Sequence, residues 1–201
     1  MTAPQNHCLG FADNLQIVAG VDEAGRGPLA GPVVVAAVIL DAARPIEGLD
    51  DSKRLSAPRR EMLAEQIQSR ALCFRVVVVD VATIDHLNIL GATLSGMKTA
   101  VESLSVAPEI ALIDGNQVPK MTCPCVPVIK GDQLYAPISA ASILAKVERD
   151  KIMRELHEEF PDYGFDRHKG YPTSMHLKNL ADFGPSPHHR RTFRPVRNLA
   201  K

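Results

Sequence analysis

A chain of 201 residues, 45% of them hydrophobic, is long enough to bury one sizeable core and too short for several independent domains. Its 23 basic and 23 acidic residues cancel, and no apolar run approaches the roughly 20 residues that a membrane-spanning helix needs. Residues 1–14 carry neither a basic head nor an apolar stretch, so the expectation is a cytoplasmic protein with no membrane contact. Residues 16–21 and 33–40 are rich in Val and Ile and predict two strands joined by the Gly/Pro-rich loop 24–32. The uninterrupted second run predicts a strand covered on both faces. Residues 57–69, with Leu63 and Ile67 four apart and Ser56 as candidate N-cap, predict a helix ahead of a third strand at 75–80. Leu87, Leu90, Leu94, Met97 and Val101 predict a helix over 83–104, weakened by Gly91 and Gly96. Strands are predicted at 110–113 and 126–129, the second after a proline-rich loop with room for an edge strand. Residues 138–160 contain no Gly or Pro and predict the longest helix, ended by Pro161. Turns at 162–172 lead to a short helix over 174–183, with Ser174 as N-cap and Gly184 as terminator.

Three of the apolar runs end on acids: Asp22-Glu23 after the first, Asp114 after residues 109–113, and Asp132 after residues 126–130. Should those runs be neighbours in one sheet, four carboxylates meet at one edge, where only bound cations offset their repulsion. Oxygen donors without a histidine cluster suit a hard cation such as Mg²⁺ or Mn²⁺. Adjacent strand residues face opposite sides, so Asp22 and Glu23 require a bend, which Gly25 and Gly27 are placed to supply. A single acidic pair at a strand end is usually a solvated surface feature, but three such ends strain that explanation.

Charge is unevenly spread. Residues 164–201 hold eight basic and two acidic residues, a net of plus six, and the remainder carries minus six. An acidic body with a basic end suits a polyanionic substrate, and a solvated tail suits it equally. His168 beside Lys169, and His188-His189 beside Arg190-Arg191, read as solvated or phosphate-facing. The thiols of Cys8, Cys73, Cys123 and Cys125 read as buried or idle, since Cys123-Pro124-Cys125 lacks the spacing and the second pair of a zinc ribbon.

The Gly25, Gly27 and Gly31 pattern is one residue too long for a dinucleotide fingerprint and leads into a strand rather than a helix. Glycines flanking Arg26 permit close backbone approach to a sugar or phosphate, and a plain tight turn explains them as well. Ser142 and Lys146 share a helix face without forming a serine–lysine nucleophile motif. They and Ser139 fit either phosphate contact at a helix start or a cap with a surface lysine.

The segment Val21-Asp22-Glu23-Ala24-Gly25-Arg26-Gly27-Pro28-Leu29-Ala30-Gly31-Pro32 closely resembles the signature of bacterial ribonuclease HII, the type 2 ribonuclease H. Further blocks match in order: Asp51-Ser52-Lys53 with Leu55, Leu112-Ile113-Asp114-Gly115-Asn116, Lys130-Gly131-Asp132, Ser139 through Lys146, and Tyr163-Gly164-Phe165 through His168-Lys169-Gly170-Tyr171-Pro172-Thr173. The resemblance runs from about residue 18 to 193 and departs from the family pattern at Gln133-Leu134-Tyr135. The 21 residues before Asp22 leave no room for the N-terminal substrate domain of the related ribonuclease HIII, and Gly-Arg-Gly also favours HII.

That resemblance implies an α/β ribonuclease H-like fold, a mixed β-sheet flanked by helices, with residues 1–163 as catalytic domain and 164–201 as a basic C-terminal helical extension packed on it. It implies a monomeric endoribonuclease acting on RNA/DNA hybrids and on duplex DNA containing single ribonucleotides. Asp22, Glu23, Asp114 and Asp132 would be catalytic and would hold two divalent cations, Mn²⁺ or Mg²⁺. Gly25, Arg26 and Gly27 would read the 2′-hydroxyl through the backbone, and Tyr171 would pack on the sugar 3′ of the cut. Lys53, Ser139, Ser142 and Lys146 would lie near phosphates. Two other readings are a metal-dependent DNA nuclease or junction resolvase, and a non-catalytic nucleic-acid-binding module that uses the basic tail.

Overall fold

The computed structural model describes residues 17–199. Cys8, the start of the first predicted strand at Gln16, and Lys201 lie outside the described residues. Five strands form one mixed sheet in the order β3-β2-β1-β4-β5. They are β1 (Val18–Ala24), β2 (Val33–Ile39), β3 (Cys73–Val79), β4 (Ile110–Asp114) and β5 (Cys125–Val128). β1 pairs antiparallel with β2, and β2 with β3, whereas β4 runs parallel to both β1 and β5. The three acid-ended runs are therefore adjacent and point the same way, as the sequence pattern suggested.

β2 is buried on both faces, and its alternation divides the core. Val33, Val35, Ala37 and Ile39 pack with Ile84, Met97 and Val101 of helix α2 (Val81–Glu102). Val34, Ala36 and Val38 pack with Leu63 and Ile67 of α1 (Ala57–Arg70) and with Ala140, Ile143 and Leu144 of α4 (Ala136–Glu159). A one-turn helix α3 (Gly131–Leu134) precedes α4. β5 carries Pro127 and lies at the sheet edge, where a missing N–H is tolerated.

Several boundaries differ from expectation for local reasons. Asp80 is the N-cap of α2 rather than the end of β3, because its carboxylate accepts from Thr83 N at 2.8 Å. α2 is broken at Asn88 (φ 58°), whose side chain accepts from Leu90 N and Gly91 N and so caps the second segment. Ser56 occupies the N-cap position of α1, but its side chain makes no capping bond. The last predicted helix, α6 (Ser174–Phe183), is capped by Thr173, not Ser174, through a 3.2 Å bond to His176 N. Short helices α5 (Phe165–His168) and α7 (Arg194–Leu199) flank it. No helix of the described residues is long and apolar enough to cross a membrane.

The start of α4 lies directly on β1. A Cβ at Gly20 would sit 2.1 Å from the Pro137 carbonyl carbon, so only glycine lets the two backbones meet. This contact sets the distance between Asp22 and the α3–α4 turn carrying Asp132. Gly20→Ala is expected to lower the unfolding free energy by about 2–3 kcal/mol through forced separation of α4 from the sheet. Urea denaturation of the variant beside wild type measures this.

Candidate active site

Parallel pairing of β1 and β4 brings Asp22 and Asp114 to one edge of the sheet, Val21 opposite Ile113. Asp22 continues the face that packs on α4, whereas Glu23, like Val21 and Ala19, starts from the α2 face. The predicted bend between them is absent. β1 stays paired as far as Ala24 with Val34, because β2 supplies a full antiparallel partner, and the turn comes at Gly25 with φ 100°. Glu23 nevertheless reaches Asp114 electrostatically from the strand end.

Asp132 does not end a strand either. Lys130 takes a left-handed conformation (φ 57°) after β5, and Asp132 is then carried on α3. Gly131 N donates to Asp114 Oδ1 at 2.7 Å, tying the α3 start to the end of β4. Ser139 Oγ donates to the Asp132 carbonyl at 2.6 Å and fixes the turn from below.

Burial and like charge act together on these groups. Asp22 is 5% exposed, and burial, then the charges of Glu23 and Asp114, push its carboxyl well above the usual range. Burial also raises Glu23, opposed chiefly by the Arg26 guanidinium, whose Nη1 lies 3.4 Å from Oε1. Asp132 is pushed up to about 6 by burial, then by the charges of Asp51 and Asp114. Lys53 Nζ lies 3.8 Å from Asp132 Oδ2. Burial opposes the charge of Lys53, but Asp51, Asp132, Asp22 and Asp114 together outweigh it and raise its pKa.

Asp51 is a fifth carboxylate that residue-by-residue reading left out, although its Asp51-Ser52-Lys53 block was visible. It is 6% exposed, accepts from Lys53 N at 2.9 Å and from Gln133 Nε2 at 3.4 Å. The unusual Gln133 thus braces Asp51, while Leu134 is exposed and Tyr135 is the N-cap residue of α4.

Not every expected site residue faces the substrate side. Ser139 and Ser142 are buried, and Ser142 Oγ donates to Ser52 Oγ at 2.7 Å. They support the carboxylate turn and the Lys53 loop instead of presenting hydroxyls to phosphate. Lys146 is half-buried and ion-paired to Asp150 at 2.6 Å. Lys53, by contrast, is exposed beside Asp132.

The Gly25-Arg26-Gly27 turn and Tyr171, 144 positions apart, are neighbours: a Cβ on Gly27 would lie 3.5 Å from Tyr171 Cε1. Tyr171 is 45% exposed. Beside Asp114 a small, shallow cleft of about 20 Å³ opens, lined by Arg26, Gly115, Asn116 and Gln117 with Leu90 and Met97 of α2.

Donor chemistry favours a hard cation here. Glu23 Oε2 is buried without a hydrogen-bond partner among the described residues. Among the same residues no three His, Cys, Asp or Glu side chains are gathered closely enough to hold a metal ion by themselves. An open set of carboxylates fits a cation that keeps waters and takes further oxygens from substrate.

A family sequence model described as Ribonuclease HII matches residues 19–196. The chain belongs to the ribonuclease HII family. It is 59% identical to the Ribonuclease HII of Burkholderia mallei (strain SAVP1) over 182 residues, 90% of this chain and 85% of that one. Its fold matches the ribonuclease H2 of Pyrococcus horikoshii OT3 with a TM-score of 0.76 at 28% identity, covering 91% of this chain and 96% of the other. It also matches the RNase HII in a PCNA complex from Archaeoglobus fulgidus, with a TM-score of 0.71, 31% identity and coverage of 89% and 95%. Ribonuclease HII family membership makes this an RNase H type 2 nuclease acting on RNA/DNA hybrids, built on the ribonuclease H-like fold.

The C-terminal cations and histidines are arranged differently from expectation. His189 and Arg190 are 0% exposed and His168 is 7% exposed, so none of the three is solvated. Backbone donors dictate their tautomers. Ser186 N donates to His189 Nδ1 (3.0 Å), leaving His189 Nε2 to donate to His176 Nε2 (3.0 Å) and His176 Nδ1 to donate to the Tyr171 carbonyl (2.9 Å). Gly170 N likewise donates to His168 Nδ1 (3.1 Å), whose Nε2 donates to the Tyr163 carbonyl (2.8 Å). All three rings are neutral, His189 and His176 in one chain of bonds and His168 stacked on His176 with bonds of its own. Burial lowers His176 to about 4 and His189 to about 3.

The unfolded chain protonates near the ordinary histidine value of ~6.5. Stability from these neutral rings is therefore complete above that pH and is lost as pH falls toward 4 and 3. Thermal melts should show the Tm gap between wild type and a histidine variant narrowing from pH 6.5 to pH 4, since the carboxylate contributions are common to both proteins. His189→Gln should be less stable than wild type at pH 7 and approach it at pH 4.

Proposed function

We propose that the protein is an endoribonuclease that hydrolyses the RNA strand of RNA/DNA hybrids and incises duplex DNA 5′ of single embedded ribonucleotides, leaving 5′-phosphate and 3′-hydroxyl ends. The juxtaposition of four carboxylates with the Gly25–Gly27 turn and the Tyr171 ring carries this reading: hydrolytic groups lie beside an exposed glycine turn that borders a half-exposed tyrosine. Ribose differs from deoxyribose by one hydroxyl, so discrimination needs a polar group within hydrogen-bonding reach of the 2′ position. Backbone without an obstructing side chain, as at exposed Gly27, is suited to that approach, whereas buried Gly25 serves the turn through its positive φ and leaves room for Arg149 beneath it. A DNA nuclease would have no use for such an approach.

Asp22, Glu23, Asp114 and Asp132 would hold two divalent cations, Mg²⁺ or Mn²⁺. When bound, these supply a water acidic enough to attack at neutral pH and neutralise charge on the leaving oxygen. The chain's own residues do the rest. Gly131 N holds the Asp114 carboxylate in orientation, and Ser139 holds the backbone of Asp132. Lys53 keeps its charge beside Asp132 and is free to meet a phosphate. Tyr171 offers a flat, half-exposed face to the sugar on the 3′ side. Arg26, 49% exposed, restrains Glu23 and lies where the backbone of the nucleic acid would pass. Residues 1–163 act as the catalytic domain and 164–201 as the extension that carries Tyr171, in a monomer with a cytoplasmic role.

Purified protein with Mg²⁺ or Mn²⁺ should nick a DNA duplex containing one ribonucleotide on its 5′ side and leave the all-DNA duplex intact. Asp114→Asn should reduce the rate by at least about 10³-fold, the loss expected when a central electrostatic group is removed. A ribonucleotide strand left uncut by wild type with both metals would sink the reading.

Cation binding has its own signature. In the metal-free protein the raised carboxylates bind protons more tightly folded than unfolded, so their contribution to stability is present at low pH and lost as pH rises through about 6. Saturating Mn²⁺ should therefore raise Tm more at pH 8 than at pH 5. Equal shifts at both pH values would argue against cation binding by these groups.

A further inference from the structure

Two arginines lie in the interior without a carboxylate in contact. Arg149 of α4 is 1% exposed and Arg190 is 0% exposed. Burying two guanidinium groups near one another is costly, and burial pulls them down to about 10 and about 9. Their donors all go to main-chain oxygens of the turn after β1 and of the segment before Tyr171. Arg190 donates to the carbonyls of Gly25 (2.6 Å), Arg26 (2.9 Å), Gly31 (2.9 and 3.0 Å) and Pro32 (3.2 Å). Arg149 donates to Pro32 (3.1 Å), Ala30 (3.2 Å) and Lys169 (3.0 Å).

The bonds to Gly25 and Arg26 have a stereochemical consequence. In a trans peptide the carbonyl of one residue and the N–H of the next point in opposite directions, and the described chain has no cis peptide. With the carbonyls of Gly25 and Arg26 turned inward onto one guanidinium, the N–H groups of Arg26 and Gly27 are turned outward. Neither N–H has a protein partner among the described residues, and both Arg26 and Gly27 are exposed. The cation also polarises both peptides, which makes these N–H groups better donors. Two consecutive donors, aimed from a strand end toward solvent and beside Tyr171, match a single oxygen acceptor.

Arg149 fixes the other wall. It joins Ala30 and Pro32 of the turn to Lys169, two residues before Tyr171, and Leu29 N donates to Gly170 O at 2.8 Å in the same seam. Gly170 is pressed against the turn: a Cβ there would lie 2.5 Å from the Ala30 carbonyl oxygen.

Resting on the function proposed above, we infer that Arg190 and Arg149 are positioning residues for sugar discrimination. Arg190 aims the Arg26 and Gly27 N–H groups at the ribose 2′-oxygen, and Arg149 holds the Tyr171 segment at the matching distance. Neither touches the carboxylates, so cation binding and sugar reading are separable.

Arg190→Lys keeps the charge but cannot bridge the Gly25, Arg26 and Gly31 carbonyls with one ammonium. Affinities are measured by fluorescence anisotropy in Ca²⁺ for a duplex with one ribonucleotide and for its all-DNA counterpart. The wild-type preference for the ribonucleotide duplex should fall by about tenfold or more, the worth of a misaligned hydrogen bond to a polarised donor. Mn²⁺ affinity by calorimetry and all-DNA affinity should stay within about twofold, the scatter of an uncoupled site. An unchanged preference in a folded variant overturns the inference, as does a parallel loss of Mn²⁺ binding. If Arg190→Lys does not fold, the wild type still decides: NMR signals of the Arg26 and Gly27 amides should shift with the ribonucleotide duplex and not with all-DNA, and indifference overturns it. Failure of wild type to prefer or cut the ribonucleotide duplex would instead count against the proposed function.

Discussion

Mutual repulsion of carboxylates gathered at one sheet edge is the constraint around which the molecule is arranged. Parallel strands β1 and β4 must end on the same side, so Asp22-Glu23 and Asp114 meet whatever their charges prefer. The protein offsets only part of that cost. The N–H groups of Glu23 and Gly131 each bond one carboxylate oxygen, and Lys53 and Arg26 contribute charge from the rim. Burial and residual repulsion leave Asp22, Glu23 and Asp132 shifted upward. The imbalance is what a cation site requires, and the partnerless Glu23 Oε2 marks it at the level of a single atom.

Positive charge is divided between two tasks. Exposed cations, Lys53 and Arg26 at the site and Arg191, Arg194 and Arg197 on the C-terminal segment, face solvent and suit a polyanion. Arg149 and Arg190 are buried and bond only to carbonyls. Their positive charge makes rigid a turn that glycines would otherwise leave loose. The neutral histidine chain extends this support, since it ends on the carbonyl of Tyr171. Chemistry and recognition thus rest on opposite electrostatic designs, one underneutralised and one held by buried cations.

Periodicity made most of the fold legible. β2 reads as a strand covered on both faces because it is one, and Pro161 and Gly184 stop helices where backbone geometry demands. The errors lie where a side chain competes for the backbone. Asp80, Asn88 and Thr173 each cap a helix through a bond that composition does not announce. The bend expected at Asp22-Glu23 rested on alternation and on the nearby glycines, and pairing with β2 carried the strand three residues past its expected end at Val21.

At the site, the acid-ended runs and the Gly-Arg-Gly block stand out in sequence because burying carboxylates beside glycines has few structural uses. What each polar residue touches is a different matter. Ser139, Ser142, His189 and Arg190 look alike in sequence whether they meet phosphate or fill the interior, since the same donors serve both. Asp51 beside Asp132, and Tyr171 beside Gly27, are meetings of distant segments. The sequence by itself determined the strands, the acids at their ends and the family. Only the tertiary structure decided which donors point inward, because a hydrogen bond depends on a direction and a distance that linear order does not carry.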